Sequence, residues 1–388
     1  MKYLLFTISI FTLSIFQLFA KDVPTLSGTI EGYGNDSIVI FCVSIPTGTV
    51  QSIDTVRATK GSFEYNVSAS EATECAIYSS SSFVLRTNGK RYLPETSIIK
   101  LIVLPGSKLS IKGSSSKFSV DYLVSGNTLN ETLSRRRSEQ LALKTYFAKQ
   151  DLKLDSMAFM KIDRNVLDQM DRELTQSKNK LLVTDIQYVQ THPDQDLSAY
   201  YLTSMVQDSF LKYVTYLKTS VLEGVFKQKL AILTANYTSV RAIQDAQKKV
   251  TVGTLAPDFT LKSLNGNAVN LRSIKGKYVV LDFWGSWCHW CIQGIPKMKE
   301  YYQKYKENVD FIGIDVRDSE SEWKLAVAKY GLPWLQLRNL TATDVPALYG
   351  VSVYPTRFVL DKDHNILARF AGEDPAFYKL LDDLLSRR

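Results

Sequence analysis

Glycine and proline are spread very unevenly along this 388-residue chain, and their distribution constrains its fold more than any other feature. Nine of the 19 glycines lie between residues 22 and 126, nine between 253 and 388, and only Gly224 falls between. Pro193 is the sole proline of that middle stretch. These two residues are the strongest breakers of regular structure, so their scarcity predicts helices over 127–250, with turn-rich segments on either side. The length suits two or three domains. The segments read as 1–20, 21–126, 127–250 and 251–388.

The first turn-rich segment reads as β. Ile38, Val39, Ile40, Phe41, Cys42 and Val43 form an apolar run after Gly34-Asn35-Asp36, and Phe63, Tyr65 and Val67 alternate after Lys60-Gly61. Ile98 to Leu104 is rich in β-branched residues and closes at Pro105-Gly106. Short strands with turn residues between them predict a small sandwich or curled sheet. Cys42 and Cys75 fall here without a cysteine, histidine or cation beside them in sequence. They read as buried small hydrophobes or a structural disulfide. In the middle segment aromatic and leucine positions recur at helical spacing, as in Tyr201, Met205 and Phe210, which is the pattern of helix–helix core contacts. Thr191-His192-Pro193-Asp194 interrupts those helices, with His192 as a loop residue.

The last segment alternates. Tyr278 to Phe283 is apolar apart from Asp282, as expected of a central strand buried on both faces. Ile292, Ile295, Met298, Tyr302 and Tyr305 follow at helical spacing, then a strand over Val309 to Val316 and a helix over Ser319 to Tyr330. Thr356 to Leu360 and Ile366 to Phe370 read as a hairpin, and Asp374-Pro375 opens a final helix. The chain is therefore expected to be multidomain: an N-terminal all-β domain, a helical middle region and a C-terminal α/β domain with a mixed sheet.

Residues 1–20 carry one early charge, Lys2, then an apolar and aromatic run ending at Ala20 before Lys21. This is the pattern of a secretory signal peptide, although Leu18 fits the small-x-small cleavage rule poorly and leaves an uncleaved anchor open. No later stretch approaches the 18 or more uninterrupted apolar residues of a membrane helix. After signal cleavage the protein is expected to have no stable membrane insertion and to sit in the periplasm, where thiols can be oxidised. Lys plus Arg exceed Asp plus Glu by 47 to 39, but the longest basic tract is Arg135-Arg136-Arg137, so nothing supports a nucleic-acid partner.

One motif carries chemistry: Trp284-Gly285-Ser286-Trp287-Cys288-His289-Trp290-Cys291, where a strand meets a helix. Two cysteines three apart at a helix start can close a small disulfide ring. The first sulfur faces unpaired N–H groups and the positive end of the helix dipole, which favours the nucleophilic thiolate. Cys288 is then the attacking residue and Cys291, one turn in and more buried, the resolving one. A zinc half-site lacks two further ligands nearby. A peroxide-reducing cysteine would need the P-x-x-x-[ST]-x-x-C pattern of peroxiredoxins, where this chain has Leu281 and Gly285. A purely structural disulfide over so short a loop restrains little of the unfolded chain.

Leu281-Asp282-Phe283-Trp284-Gly285-Ser286-Trp287-Cys288-x-x-Cys291 resembles the active-site strand and loop of the thioredoxin superfamily. Gly253-Thr254-Leu255-Ala256-Pro257-Asp258-Phe259-Thr260-Leu261 resembles the entry segment shared by peroxiredoxins and the TlpA/ResA-like periplasmic thiol-disulfide oxidoreductases, and Val353-Tyr354-Pro355-Thr356 their cis-proline loop. The β-rich segment is similar, more loosely, to the N-terminal domain of unknown function in many long periplasmic members. The resemblance implies a thioredoxin-like fold for 251–388, and dithiol-disulfide exchange by Cys288 and Cys291 with protein substrates. It implies no metal and no cofactor beyond that redox-active disulfide, and a membrane thiol-electron donor as partner.

The resemblance also assigns roles. Asp282 is the buried acid that deprotonates the resolving cysteine; the alternative is a strand-end acid reaching solvent. Pro355 is cis. Tyr354 offers its backbone to the substrate chain. Trp287, His289 and Trp290 flank the disulfide, Trp284 being core. ResA-like proteins often carry a glutamate three residues after the second cysteine; here that residue is Gly294, which leaves acid–base duty to Asp282 alone. His289 either stabilises the thiolate when protonated or simply faces solvent. Redox direction stays open, and the favoured function is a reductase, with cytochrome c maturation as one task the family suggests. The alternatives are a partner-binding protein with a redox-regulated thioredoxin-like module, or a thiol-dependent peroxidase.

Overall fold

The computed structural model describes residues 25–339 and 344–385; the expected signal segment 1–20 lies outside them. The chain forms two compact units, dividing between Leu233 and Thr234.

In the first unit, ten strands precede the helices: β1 (Leu26–Glu31), β2 (Ser37–Ser44), β3 (Val50–Arg57), β4 (Ser62–Tyr65), β5 (Thr73–Ser79), β6 (Val84–Leu85), β7 (Arg91–Tyr92), β8 (Ile99–Val103), β9 (Leu109–Ser115) and β10 (Val120–Ser125). Two four-stranded sheets, ordered β10-β9-β1-β4 and β3-β2-β5-β8, share one core that includes Leu26, Ile30, Ile40, Ile77, Leu101 and Ile111. In β2 every second residue is buried, the alternation that lets one face of a strand meet the core. This is the sandwich expected of the β-rich segment. Cys42 and Cys75 are register partners across β2 and β5, both fully buried free thiols with sulfurs 2.8 Å apart. Their proximity is purely tertiary.

The helices α1 (Thr128–Phe159), α2 (Arg164–Thr191), α3 (Asp196–Thr203), α4 (Gln207–Tyr213), α5 (Thr219–Leu222) and α6 (Lys227–Lys249) fill the stretch poor in glycine and proline, with α6 spanning the division between units. His192 caps the end of α2 and its ring stacks on Tyr188 at 4.3 Å. Arg136 and Arg137 of the basic triplet turn inward. Arg137 donates to the carbonyls of Thr96, Ile98 and Val120, and Arg136 donates to the Tyr201 hydroxyl. A cavity of about 720 Å³ in this unit is lined by residues including Glu74, Lys100, Arg137, Lys144, Asp185 and Tyr200.

The second unit is built on a seven-stranded mixed sheet. Its elements are β11 (Thr260–Ser263), β12 (Ala268–Asn270), β13 (Tyr278–Trp284), α7 (His289–Tyr305), β14 (Val309–Asp315), α8 (Glu320–Tyr330), β15 (Leu335–Arg338), α9 (Val345–Leu348), β16 (Thr356–Leu360), β17 (Ile366–Ala371) and α10 (Pro375–Leu385). The strand order is β12-β11-β15-β14-β13-β16-β17, with β13, β14 and β15 parallel and β16 antiparallel to β13. Central β13 is buried on both faces, as its apolar run dictates. Val279, Leu281 and Phe283 face a core shared with Phe358, Leu360, Val345 and Tyr349. Val280 faces the other side, with Met298 and Tyr301 of α7 and Phe377 and Leu381 of α10. Trp284, also on that side, packs against Cys288 and Cys291. Ser319 and Glu322 form a capping box on α8, and Gly331 closes it in the left-handed conformation.

Candidate active site

β13 delivers the chain to the site. Beyond its last residue, Gly285 is required by close approach, because a Cβ there would lie 2.5 Å from the Trp287 indole nitrogen and 3.0 Å from the Val316 carbonyl. Ser286 is held by Asp318, which accepts from the Ser286 backbone N–H and hydroxyl, both at 2.8 Å. Cys288 is the N-cap of α7, and its sulfur accepts from the Cys291 backbone N–H at 3.2 Å. The Cys288 sulfur is therefore at the positive end of the helix, where a thiolate is stabilised. Cys288 and Cys291 form a disulfide with Cα atoms 5.3 Å apart. Contrary to the expected contrast in burial, the two are almost equally covered, at 5% and 4% exposed. Position on the helix separates them: the cap residue has no preceding turn over its sulfur, and the residue one turn in does.

The rim is aromatic. Trp287 and Trp290 are exposed, with Val353 beside the Tyr354-Pro355 bond, while Trp284 is buried and donates to the Gln336 side chain. The Tyr354-Pro355 bond is cis. The Tyr354 ring meets Trp287 edge-on at 5.3 Å, and the Arg317 guanidinium lies over both rings. His289 is exposed and its ring contacts Trp290. Among the described residues, no group of three or more His, Cys, Asp or Glu side chains could hold a metal ion.

Asp282 is buried in mid-strand, not a strand-end acid reaching solvent. By strand alternation its carboxyl lies on the sheet face of Val280 and Trp284, the face that α7 and the disulfide cover. Burial raises its pKa, and the adjacent Arg357 guanidinium opposes that rise. Sequence reasoning missed Arg357 and Glu373. Arg357 is the register partner of Asp282 on β16, is 1% exposed, and donates through Nε to Asp282 at 3.1 Å and through Nη2 to Glu373 at 2.8 Å. A signal for it was present, since an arginine two residues after the cis-proline stands directly before the apolar run Phe358-Val359-Leu360 of a buried strand.

A second buried acid flanks the loop. Asp315, at the end of β14, has its pKa pushed up to about 9, by burial first and by the neighbouring Asp318 carboxylate second. The folded protein thus keeps a proton that the unfolded chain releases near pH 4. Stability from this group is full below that pH and lost as pH rises toward 9. Asp315→Asn should flatten the decline in unfolding midpoint across that window; an unchanged slope in urea titrations at several pH values would refute the assignment.

The comparisons with known proteins concern this unit. The AhpC/TSA family matches residues 252–369. Thiol-disulfide oxidoreductase ResA of Bacillus thuringiensis (strain Al Hakam) is 36% identical over 128 residues, covering 33% of this chain and 73% of ResA. ResA of Bacillus subtilis (strain 168) is 29% identical over 142 residues, covering 36% of this chain and 79% of that protein. Among solved structures, the thioredoxin domain of a thiol-disulfide oxidoreductase from Bacteroides vulgatus is 28% identical with a TM-score of 0.33, covering 35% of this chain and 98% of that one. An exposed aromatic rim around a helix-capping disulfide, on a stretch this similar to ResA over most of ResA's length, leads to one conclusion: the chain belongs to the TlpA/ResA-like thiol-disulfide oxidoreductases of the thioredoxin superfamily.

Proposed function

We propose that the protein works in the periplasm as a reductase of protein disulfides, kept reduced by a membrane thiol-electron donor. The observation that carries the chemistry is the Cys288 sulfur at the cap of α7, inside an exposed apolar rim. The Cys288 thiolate attacks one sulfur of a substrate disulfide; that S–S bond breaks, the other substrate sulfur leaves as a thiolate and takes up a proton, and Cys288 holds the first sulfur in a mixed disulfide. Cys291 then loses its proton toward Asp282, and its thiolate attacks the Cys288 sulfur. The Cys288–Cys291 bond closes, and the substrate sulfur leaves as a thiolate that is protonated. Two electrons pass from the site to the substrate. Trp287, Trp290 and the Tyr354 backbone offer an unfolded or extended substrate segment its contacts, and His289 stays at the solvent edge. Cytochrome c maturation, where apocytochrome disulfides must be reduced, is one task that suits this reading.

Among the described residues, no helix is long and apolar enough to cross a membrane. The export reading is carried by the sequence of residues 1–20, and detection of the protein in a periplasmic extract, with loss of that signal on deleting 2–20, checks it. The direction of electron flow is tested by the reduction potential of the Cys288/Cys291 pair. A value near that of thioredoxin, about −270 mV, is expected, and one near about −120 mV would make the protein an oxidant instead.

A further inference from the structure

Glu373 is placed where a side chain on α7 would otherwise be. A methyl group built on Gly294, three residues past Cys291, would overlap the Glu373 carboxylate. From there Glu373 accepts from Arg357 Nη2 at 2.8 Å and from the Tyr378 hydroxyl at 2.6 Å. Arg357 bonds Asp282 on its other side, and its Nη1 is buried with no hydrogen-bond partner. The charged and titratable groups beside Asp282 are thus Arg357 of β16, Glu373 just before α10 and Tyr378 of α10. One cation lies between two carboxylates, a net charge of −1 on the sheet face beneath the disulfide. The two acids differ in access: the Glu373 side chain is 25% exposed and that of Asp282 11%.

We propose that Glu373 is a positioning residue of the redox site, acting through Arg357, which it holds against Asp282, and through the negative charge it adds beside that acid. The negative charge of Glu373 also opposes ionisation of Asp282, in line with the upward displacement of that acid. This inference rests on the dithiol chemistry proposed above.

The test is the pH dependence of the Cys288/Cys291 midpoint potential in the full chain, poised in glutathione buffers and read by peptide mass after thiol trapping. The slope of potential against pH changes where the reduced site loses a proton. Glu373→Gln removes one negative charge and should lower that break by about one pH unit, a tenfold change in proton affinity. Glu373→Asp keeps the charge and should restore the break. Gly294→Ala, which displaces the carboxylate without removing it, should shift the break in the same direction as Glu373→Gln. A purely structural role for Glu373 would lower stability and leave the break in place, and that result overturns the inference alone. A wild-type pair that fails to exchange with glutathione overturns the dithiol chemistry beneath it.

Discussion

Cys288→Ala abolishes insulin-disulfide reduction, and Cys291→Ala accumulates a mixed disulfide between Cys288 and its substrate. The asymmetry is the expected result because the two sulfurs differ in position on α7 rather than in burial. Only a thiolate at the helix cap can start exchange from solvent, and only the residue one turn in is placed to displace the bound substrate. Loss of the nucleophile should reduce the rate to that of the uncatalysed exchange with dithiothreitol. Non-reducing gels of Cys291→Ala incubated with a denatured disulfide protein should show an adduct that dithiothreitol releases. Reduction by a Cys288→Ala/Cys291→Ala double variant at the wild-type rate would end the assignment. Cys42 and Cys75 do not complicate this result, being fully buried in the other unit.

Arg357→Met should be the most damaging single change to stability in the C-terminal unit, costing on the order of 3–5 kcal/mol. The guanidinium is 1% exposed and is the bonded cation between Asp282 and Glu373. Its loss leaves the Asp282 carboxylate buried beside a like charge. Replacing both buried partners, as in Asp282→Leu/Arg357→Leu, should recover much of the loss, because an apolar pair leaves no buried charge unpaired. The penalty of Arg357→Met should also shrink in acid. With its cation gone, Asp282 has a folded-state pKa raised further above the unfolded value, so the variant regains stability below about pH 4 and loses it as pH rises. All five tryptophans, Trp284, Trp287, Trp290, Trp323 and Trp334, belong to the C-terminal unit, so tryptophan fluorescence excited selectively beyond the tyrosine absorption band reports on that unit in a urea titration. An unfolding midpoint equal to wild type would show that the Asp282–Arg357–Glu373 bonds contribute nothing.

Much of the fold is local and so was legible in one dimension. The scarcity of glycine and proline located the helices α1 to α6, because those residues act on the backbone of their own neighbourhood. The apolar run around Asp282 identified β13 as a central strand, and Asp374-Pro375 the start of α10. The apolar runs at β2 and β8 and the alternation of Phe63, Tyr65 and Val67 announced a small sandwich or curled sheet without its pairing order. The cysteine motif was readable from its own spacing, and the cis-proline loop and the buried acid through the resemblance to the thioredoxin superfamily.

What the sequence by itself determined is the chemistry available: a cysteine pair on a helix cap, an acid in an apolar strand, and an aromatic rim. Tertiary structure alone decided what surrounds that chemistry. Arg357 lies 75 positions from Asp282 and Glu373 lies 79 from Gly294, yet strand pairing and the packing of α10 bring all four to one face of the sheet. In the same way, pairing of β2 with β5 sets Cys42 against Cys75 across 33 positions. The reason is physical: a buried charge has to find its partner within hydrogen-bond reach, and in a folded chain that partner is chosen by sheet register and helix packing, not by distance along the sequence.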